Sequence, residues 1–247
     1  MSPKELLVLA SKLGADTFYG LQNPFRGMSR TEIKASIPQI QQRAEKRKLA
    51  IMGFEQEFAV EKNAAELISV CANCNRYMTL DVIVNGKHQT REVVYSNDCD
   101  TVLLQDHSDE VTLQKTDVNV LQDIIYKQYF SEQIDKTPQD QEIRIPPTFL
   151  SKIHVVDSNG KEQLIKYGCS ECMAEAIIQG INRRCTYLSM VRVDFQNRLC
   201  LSLICVISNF GIVRLWLEND EGGEYCCANW ISLQDVSEEL SKLFQGF

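Results

Sequence analysis

Two stretches of this chain carry the same order of elements. The first reads AAELISVCANCNR and continues through the strand-like blocks YMTLDVIV, TREVVYS, TVLLQD and EVTLQK. The second reads MAEAIIQGINRR and continues through LSMVRVDF, LCLSLICVIS, GIVRLWLE and EYCCAN. Ala65 and Glu66 line up with Ala174 and Glu175, and Asn73 with Asn182, an offset of about 109 residues. Each copy closes on a helix-like stretch, DVNVLQDIIYKQYF in the first and SLQDVSEELSKLF in the second. Identity between the copies is low, so the order of elements carries the match. A duplicated helix, four-strand, helix unit predicts an α+β fold, a pseudo-twofold domain built on antiparallel strands.

Local signals fill in the boundaries. Residues 3–13 read as a helix stopped by Gly14, and Ser29 with Glu32 forms a capping box for a helix reaching about Leu49, with a kink or break expected at Pro38. Phe54 to Val60 reads as a short extended piece, and Asn63 to Arg76 as a helix that turns Cys71 to the core. Asn85-Gly86 between apolar alternations is a two-residue hairpin signal. Asp117 is an N-cap for a helix with Val120, Leu121, Ile124, Ile125 and Tyr129 facing inward. Thr137 to Pro147, polar and proline-rich, predicts a linker between an N-terminal half (1–136) and a C-terminal half (148–247) packed as one domain. A hairpin around Asn159-Gly160 is expected within residues 153–167.

Net charge is −7, which argues against a general nucleic-acid binder, because phosphate contacts need a basic face. The local cluster Arg43, Lys46, Arg47 and Lys48 reads first as cations complementing a helix C-terminus. No secretory signal is expected from the first residues, and the ten cysteines are then expected as reduced thiols, several packed in strands. The apolar run Leu199 to Leu217 approaches bilayer length, but Ser208-Asn209-Phe210-Gly211 is a turn signal in its middle, so it reads as a hairpin. Leu199, Leu201, Leu203 and Ile207 point one way from it and Ile204 and Val206 the other. A sheet apolar on both sides is covered on both sides, by helices or by a partner.

Phosphate-binding, hydrolase and zincin motifs are absent, and the three histidines, His88, His107 and His154, are dispersed. No catalytic constellation is expected. Two CxxC pairs, Cys71 with Cys74 and Cys169 with Cys172, could together supply four thiolates to zinc. Their wide separation, the helical setting of Cys71 and their non-equivalent places in the repeat favour packing thiols, and no metal or cofactor is expected.

The chain resembles the EspG family of type VII (ESX) secretion chaperones and its Firmicutes relatives. The residues that carry the likeness are ELLVLASKLGAD, the helix ending KRKLAIMGF, AAELISVCA, the strands ending EVTLQKTD, then GIVRLWLE, the Gly-Gly turn and ANWISLQDV. The resemblance implies a central antiparallel sheet flanked by two helical bundles with a quasi-twofold repeat, and a cytoplasmic, non-enzymatic chaperone. Such a chaperone binds the helical tip of a secretion substrate, a PE–PPE pair in mycobacteria, and keeps it soluble for export. This low-glycine, lysine-rich chain does not look actinobacterial, which points to a WXG- or LXG-type helical hairpin as partner. By family analogy the partner contacts fall on the turn Asn97, Asp98 and Asp100, with Leu243 and Phe244 of the last helix next. The family's long loop between the second and third strands is short here, Ser96 to Asp100. The expected molecule is a monomer or weak homodimer without nucleic acid or stable membrane insertion. Two alternatives stand beside it: a zinc-stabilised adaptor using the CxxC pairs, and a winged-helix-like nucleic-acid-binding regulator using Arg43 to Lys48.

Overall fold

The computed structural model describes residues 1–15, 18–53, 57–107, 109–133, 142–146, 149, 158–220 and 223–247. The chain enters through α1 (Pro3–Lys12) and α2 (Arg30–Lys46), then a small hairpin of β1 (Ala50–Met52) and β2 (Phe58–Val60). The first unit follows: α3 (Lys62–Ala72), β3 (Arg76–Val84), β4 (Lys87–Ser96), β5 (Thr101–Asp106), β6 (Val111–Lys115) and α4 (Val118–Tyr129). After β7 (Ile143–Ile145) and α5 (Ser158–Lys166) comes the second unit. It consists of α6 (Glu171–Ile181), β8 (Thr186–Asp194), β9 (Leu199–Ser208), β10 (Gly211–Asp220), β11 (Gly223–Ile231) and α7 (Leu233–Phe244).

Each unit is an antiparallel meander, and the two join along β3 and β8 in a nine-stranded sheet ordered β6-β5-β4-β3-β8-β9-β10-β11-β7. The strands of the two units therefore run outward from the seam in the same sequence. Asn85 (φ 47°) and Gly86 (φ 77°) make the tight turn from β3 to β4, the conformation for which this dipeptide is selected. Asn209 and Phe210 make the turn from β9 to β10, so the long apolar run is a hairpin. Among the described residues no helix is long and apolar enough to cross a membrane.

Alternation along the strands divides the side chains between two faces. On one face Met78, Leu80 and Val82 of β3, Leu188 and Met190 of β8, and Leu203 and Ile207 of β9 pack beneath Leu121 and Ile125 of α4 and Val236, Leu240, Leu243 and Phe244 of α7. The other face is covered at its two ends. Leu6, Leu9, Ala44 and Ile68 from α1 to α3 close it over β4 and β5, and Met173, Ala174 and Ile177 of α6 close it over β9 to β11. At Gly180 of α6 an added Cβ would lie 2.6 Å from Cγ2 and 2.9 Å from Cγ1 of buried Val206. Gly180→Ala is therefore expected to destabilise the protein by about 1–2 kcal/mol, the overpacking outweighing the helix propensity that alanine adds. A double-mutant cycle with Val206→Ala, read by urea unfolding, checks this: the expected coupling is about 1 kcal/mol, and additive effects would refute the contact.

Several expectations are corrected. The helix expected through Arg76 ends at Ala72, where Asn73 folds back to donate to the Ser69 carbonyl and Arg76 pairs with Ser96 in the sheet. Helix α2 runs unbroken through Pro38; Lys34 and Pro38 are exposed, so the carbonyl without a proline N–H can pair with water. The expected hairpin at Asn159-Gly160 is instead the first turn of α5, whose run Lys161 to Lys166 favours helix; residues 150–157 lie outside the described residues. Within the expected linker, Ile143–Ile145 is a strand paired to β11, while residues 137–141 lie outside the described residues. In α4 only Leu121 and Ile125 are buried; Val120 and Ile124, a helical step round, are exposed by 55% and 50%.

Candidate functional site

The middle of the second face is the part of the sheet that the described helices leave open. Along β3 and β8 buried residues alternate with half-buried ones, and the half-buried set is Tyr77, Thr79, Asp81 and Ile83 opposite Val193, Val191, Ser189 and Tyr187. The two flanking cores reach only as far as Tyr77 on one side and Tyr187 on the other; Ile83, Val191 and Val193 belong to neither. Cys200 and Ser202 of β9 extend the surface as exposed side chains, with Ile204 half-buried behind them. The result is a shallow, largely apolar trough across the seam, walled by α1 to α3 and by α6.

One end of the trough is aromatic. Tyr19 stacks on Tyr77 at 5.3 Å and an 8° interplanar angle, and Phe195 lies 4.7 Å from Tyr19 and 5.8 Å from Tyr77. Gly20 (φ 75°) allows this approach, since any Cβ there would fall 2.9 Å from Val93. Tyr19 and Phe195 remain 37% and 40% exposed, large apolar rings of the kind that anchor partners. Burial raises the Tyr77 hydroxyl, with smaller contributions from Cys200, Cys74 and Tyr19, so it stays a neutral donor. Further along, Arg91 pairs with Asp81 at 3.5 Å and donates to the Gly20 carbonyl at 3.3 Å. Burial also raises Tyr187, against a hydrogen bond with Ser189. Nothing in this set is a nucleophile beside a base. The arrangement can bind an apolar surface and orient it through a few polar groups.

The residues expected at a partner site divide. Asn97, Asp98 and Asp100 lie in the β4–β5 turn. Asn97 Oδ1 accepts from the amides of Cys99 (2.9 Å) and Asp100 (2.7 Å). Asp98 accepts from Asn75 at 2.8 Å, and Asp100 pairs with Lys115 at 2.8 Å. The Asn75 carbonyl accepts from the Phe195 amide, so this turn stands at the aromatic end of the trough. Leu243 and Phe244 are 2% and 4% exposed, packed into the core between α7 and the sheet. The last helix is strongly amphipathic, and a sequence pattern cannot say whether its apolar stripe meets the chain's own sheet or another chain's.

The two CxxC pairs lie in different cores, Cys71 and Cys74 beneath α1 to α3 and Cys169 beside α6, with Cys172 exposed. Burial pushes the Cys71 thiol far up and Cys74 up to about 11, the behaviour of packing thiols. Among the described residues the ligand-bearing group drawn closest together is Glu142, Glu218 and Cys227, and Arg144 already sits in it, 3.7 Å from Glu142 and 3.1 Å from Glu218. In the basic run, Arg47 bridges Glu110 at 2.9 Å and Glu5 at 3.8 Å, tying the end of α2 to the sheet edge. His107 lines a cleft beside α4, and His154 lies outside the described residues.

The open trough was legible only in part. Blocks such as YMTLDVIV show period-two alternation with tyrosine, threonine and aspartate on the second face, the signal of a sheet side that is not fully buried.

No family model matches the chain, and no curated protein does. A solved structure does: the Mycobacterium tuberculosis type VII secretion system chaperone EspG5 in complex with a PE25–PPE41 dimer. The likeness has a TM-score of 0.62 at 11% sequence identity and covers 98% of this chain and 94% of that one. At that identity it shows the fold: an EspG-like α+β architecture, antiparallel sheet and flanking helices together.

Proposed function

We propose that this chain is a type VII secretion chaperone or adaptor of the EspG kind, related to those of Firmicutes, acting in the cytoplasm and without catalysis. It takes the apolar end of a helical-hairpin substrate of the WXG or LXG type on the β3–β8 trough and keeps it soluble for export. The two halves, 1–136 and 148–247, act as one pseudo-twofold unit that builds this trough at their seam. The observation that carries the reading is the alternation along β3 and β8: one face is sealed by α4 and α7, while the other presents Val191, Val193, Ile83 and the aromatic cluster half-exposed. An apolar surface of this kind on a folded chain marks a partner site. The EspG-like fold supports a secretion substrate as partner in general, since the EspG5 structure holds a PE25–PPE41 dimer. The turn Asn97, Asp98 and Asp100, at the aromatic end, forms the polar rim.

The test is co-purification with helical-hairpin proteins encoded beside the gene, comparing the parent chain with Val191→Glu. A carboxylate there is tolerated in the free chain and is desolvated under a docked helix, so affinity is expected to fall about tenfold or more with the fold unchanged by circular dichroism. Undiminished affinity would place the partner elsewhere. Failure of every such hairpin protein to bind the parent chain would remove the chaperone reading.

A further inference from the structure

We propose that the gap between β9 and β10 is a docking slot for an extended segment of a partner chain, taken up as an added β-strand. The two strands pair from the turn at Ser208 and Gly211 only as far as Ile204 opposite Leu215. Beyond that point each ladder continues on its outer side alone. Leu199 to Leu203 stay paired with β8, and Trp216 to Asp220 stay paired with β11. The sheet therefore opens between its sixth and seventh strands, where an interior ladder belongs. Backbone polar groups on such facing edges are the template that strand addition uses.

The side chains agree with that occupant. Leu217 is 63% and Leu199 39% exposed, and Cys200 and Ser202 are exposed as well. A cavity of about 370 Å³ lies between the arms, lined by Ser202, Ile204, Trp216 and Leu217 and floored by Glu239 and Leu243 of α7. Ile204 and Leu217 belong to the second face, so the slot is continuous with the trough. The first half supplies the contrast. There the β4–β5 ladder ends at Arg91 opposite Asp106, the last residue of β5, and Gln105 donates to Glu92 at 2.7 Å across the same place. The start of β4, Lys87 to Thr90, runs on paired with β3, but β5 has ended and no strand edge faces it; in the second half both β9 and β10 continue past their last shared pair. Since β9 and β10 are antiparallel, an entering strand runs antiparallel to one arm and parallel to the other, and apolar residues at alternate positions would meet Ile204 and Leu217.

The test uses the full chain and a capped seven-residue peptide alternating valine and threonine, with a control N-methylated at alternate residues to remove the donors of one edge. Amide hydrogen exchange is expected to slow about tenfold or more in 199–203 and 216–220 on adding the peptide. Both N-methylated registers together are expected to lose that protection. Leu217→Lys is expected to weaken peptide binding about tenfold without altering exchange elsewhere. Absence of protection in the slot at millimolar unmodified peptide, protection retained in full by both N-methylated registers, or protection confined to β6 or β7 overturns the proposal. Protection that grows with protein concentration in the absence of peptide assigns the slot to a second copy of this chain and overturns it too. The result is independent of whether a helical hairpin binds the trough.

Discussion

Replacing Arg192 by leucine is expected to destabilise the protein by about 3–5 kcal/mol, the range for removing one partner from a buried charged network. Arg192 is 4% exposed beneath the end of α7. Its Nη1 donates to the carbonyls of Leu243 at 3.0 Å and Gln245 at 2.6 Å, with Lys242 at 3.4 Å. Its Nη2 donates to Asp194 at 3.2 Å, and its guanidinium lies 5.2 Å from the Phe247 ring. The last carbonyls of a helix have no partner within the helix, and here a side chain from β8 supplies it. Leucine would leave those carbonyls and a buried carboxylate short of a donor. In a chain of this size each 1 kcal/mol corresponds to about 2–4 °C, so the melting temperature should fall by about 10 °C. Hydrogen exchange should show the loss first in 233–244; an unchanged urea midpoint would refute the network's role.

The same site sets an acid dependence. Burial works to raise the Asp194 carboxyl, but hydrogen bonds from the Asn197 amide and side chain and from Arg192, with the charge of Arg76, outweigh it and hold the value below the ordinary one. A carboxyl lowered by folding stabilises the native state above its unfolded value, and that contribution disappears as pH falls through the folded value. The leucine variant keeps the Asn197 bonds and loses the arginine, so its stability should fall less steeply over the same acid range.

Phe244→Ala is expected to cost about 3–5 kcal/mol, the usual effect of truncating a buried phenylalanine. The ring packs with Leu240, Leu243 and Phe247 against β3, β8 and β9 and fills space that the sheet cannot close by shifting. This prediction separates two roles for the last helix. As a partner contact, Phe244 would lower affinity and leave the urea midpoint in place; as core, it lowers the midpoint and affects binding only through the folded fraction. A midpoint within experimental error of the parent would return the residue to the partner surface.

Much of this molecule could be read before folding was considered. The order of helix, four strands and helix in each unit follows from period-two and period-3.6 patterning, and the hairpins follow from Asn85-Gly86 and Ser208 to Gly211, whose backbone preferences are local. The capping box at Ser29 forms as its spacing predicts, and the structure holds another at Ser232, at the start of α7. Residues 158–166 were misread because Asn-Gly is a turn signal only when extended runs flank it, and the run beyond it favours helix.

The site was legible only to the extent that binding was placed on a sheet face. An apolar residue states that it will leave water, and nothing in its position along the chain states which surface it will meet. Leu243 and Phe244 pack in one core with β3, β8 and β9, and Arg192, 51 positions before Leu243, holds the Leu243 carbonyl. Val191, Val193 and Ile83 come from two units and belong to neither flanking core, because among the described residues α1 to α3 and α6 close over the outer strands and stop short of the seam. The parting of β9 and β10 likewise depends on where β8 and β11 hold their outer edges. The succession of elements in each unit and the hairpin turns at Asn85-Gly86 and Ser208 to Gly211 were thus determined by the sequence, through local backbone preference and the periodicity of burial. Which faces close and which stay open was decided only by the tertiary structure, because closure depends on contacts between segments that no local pattern connects.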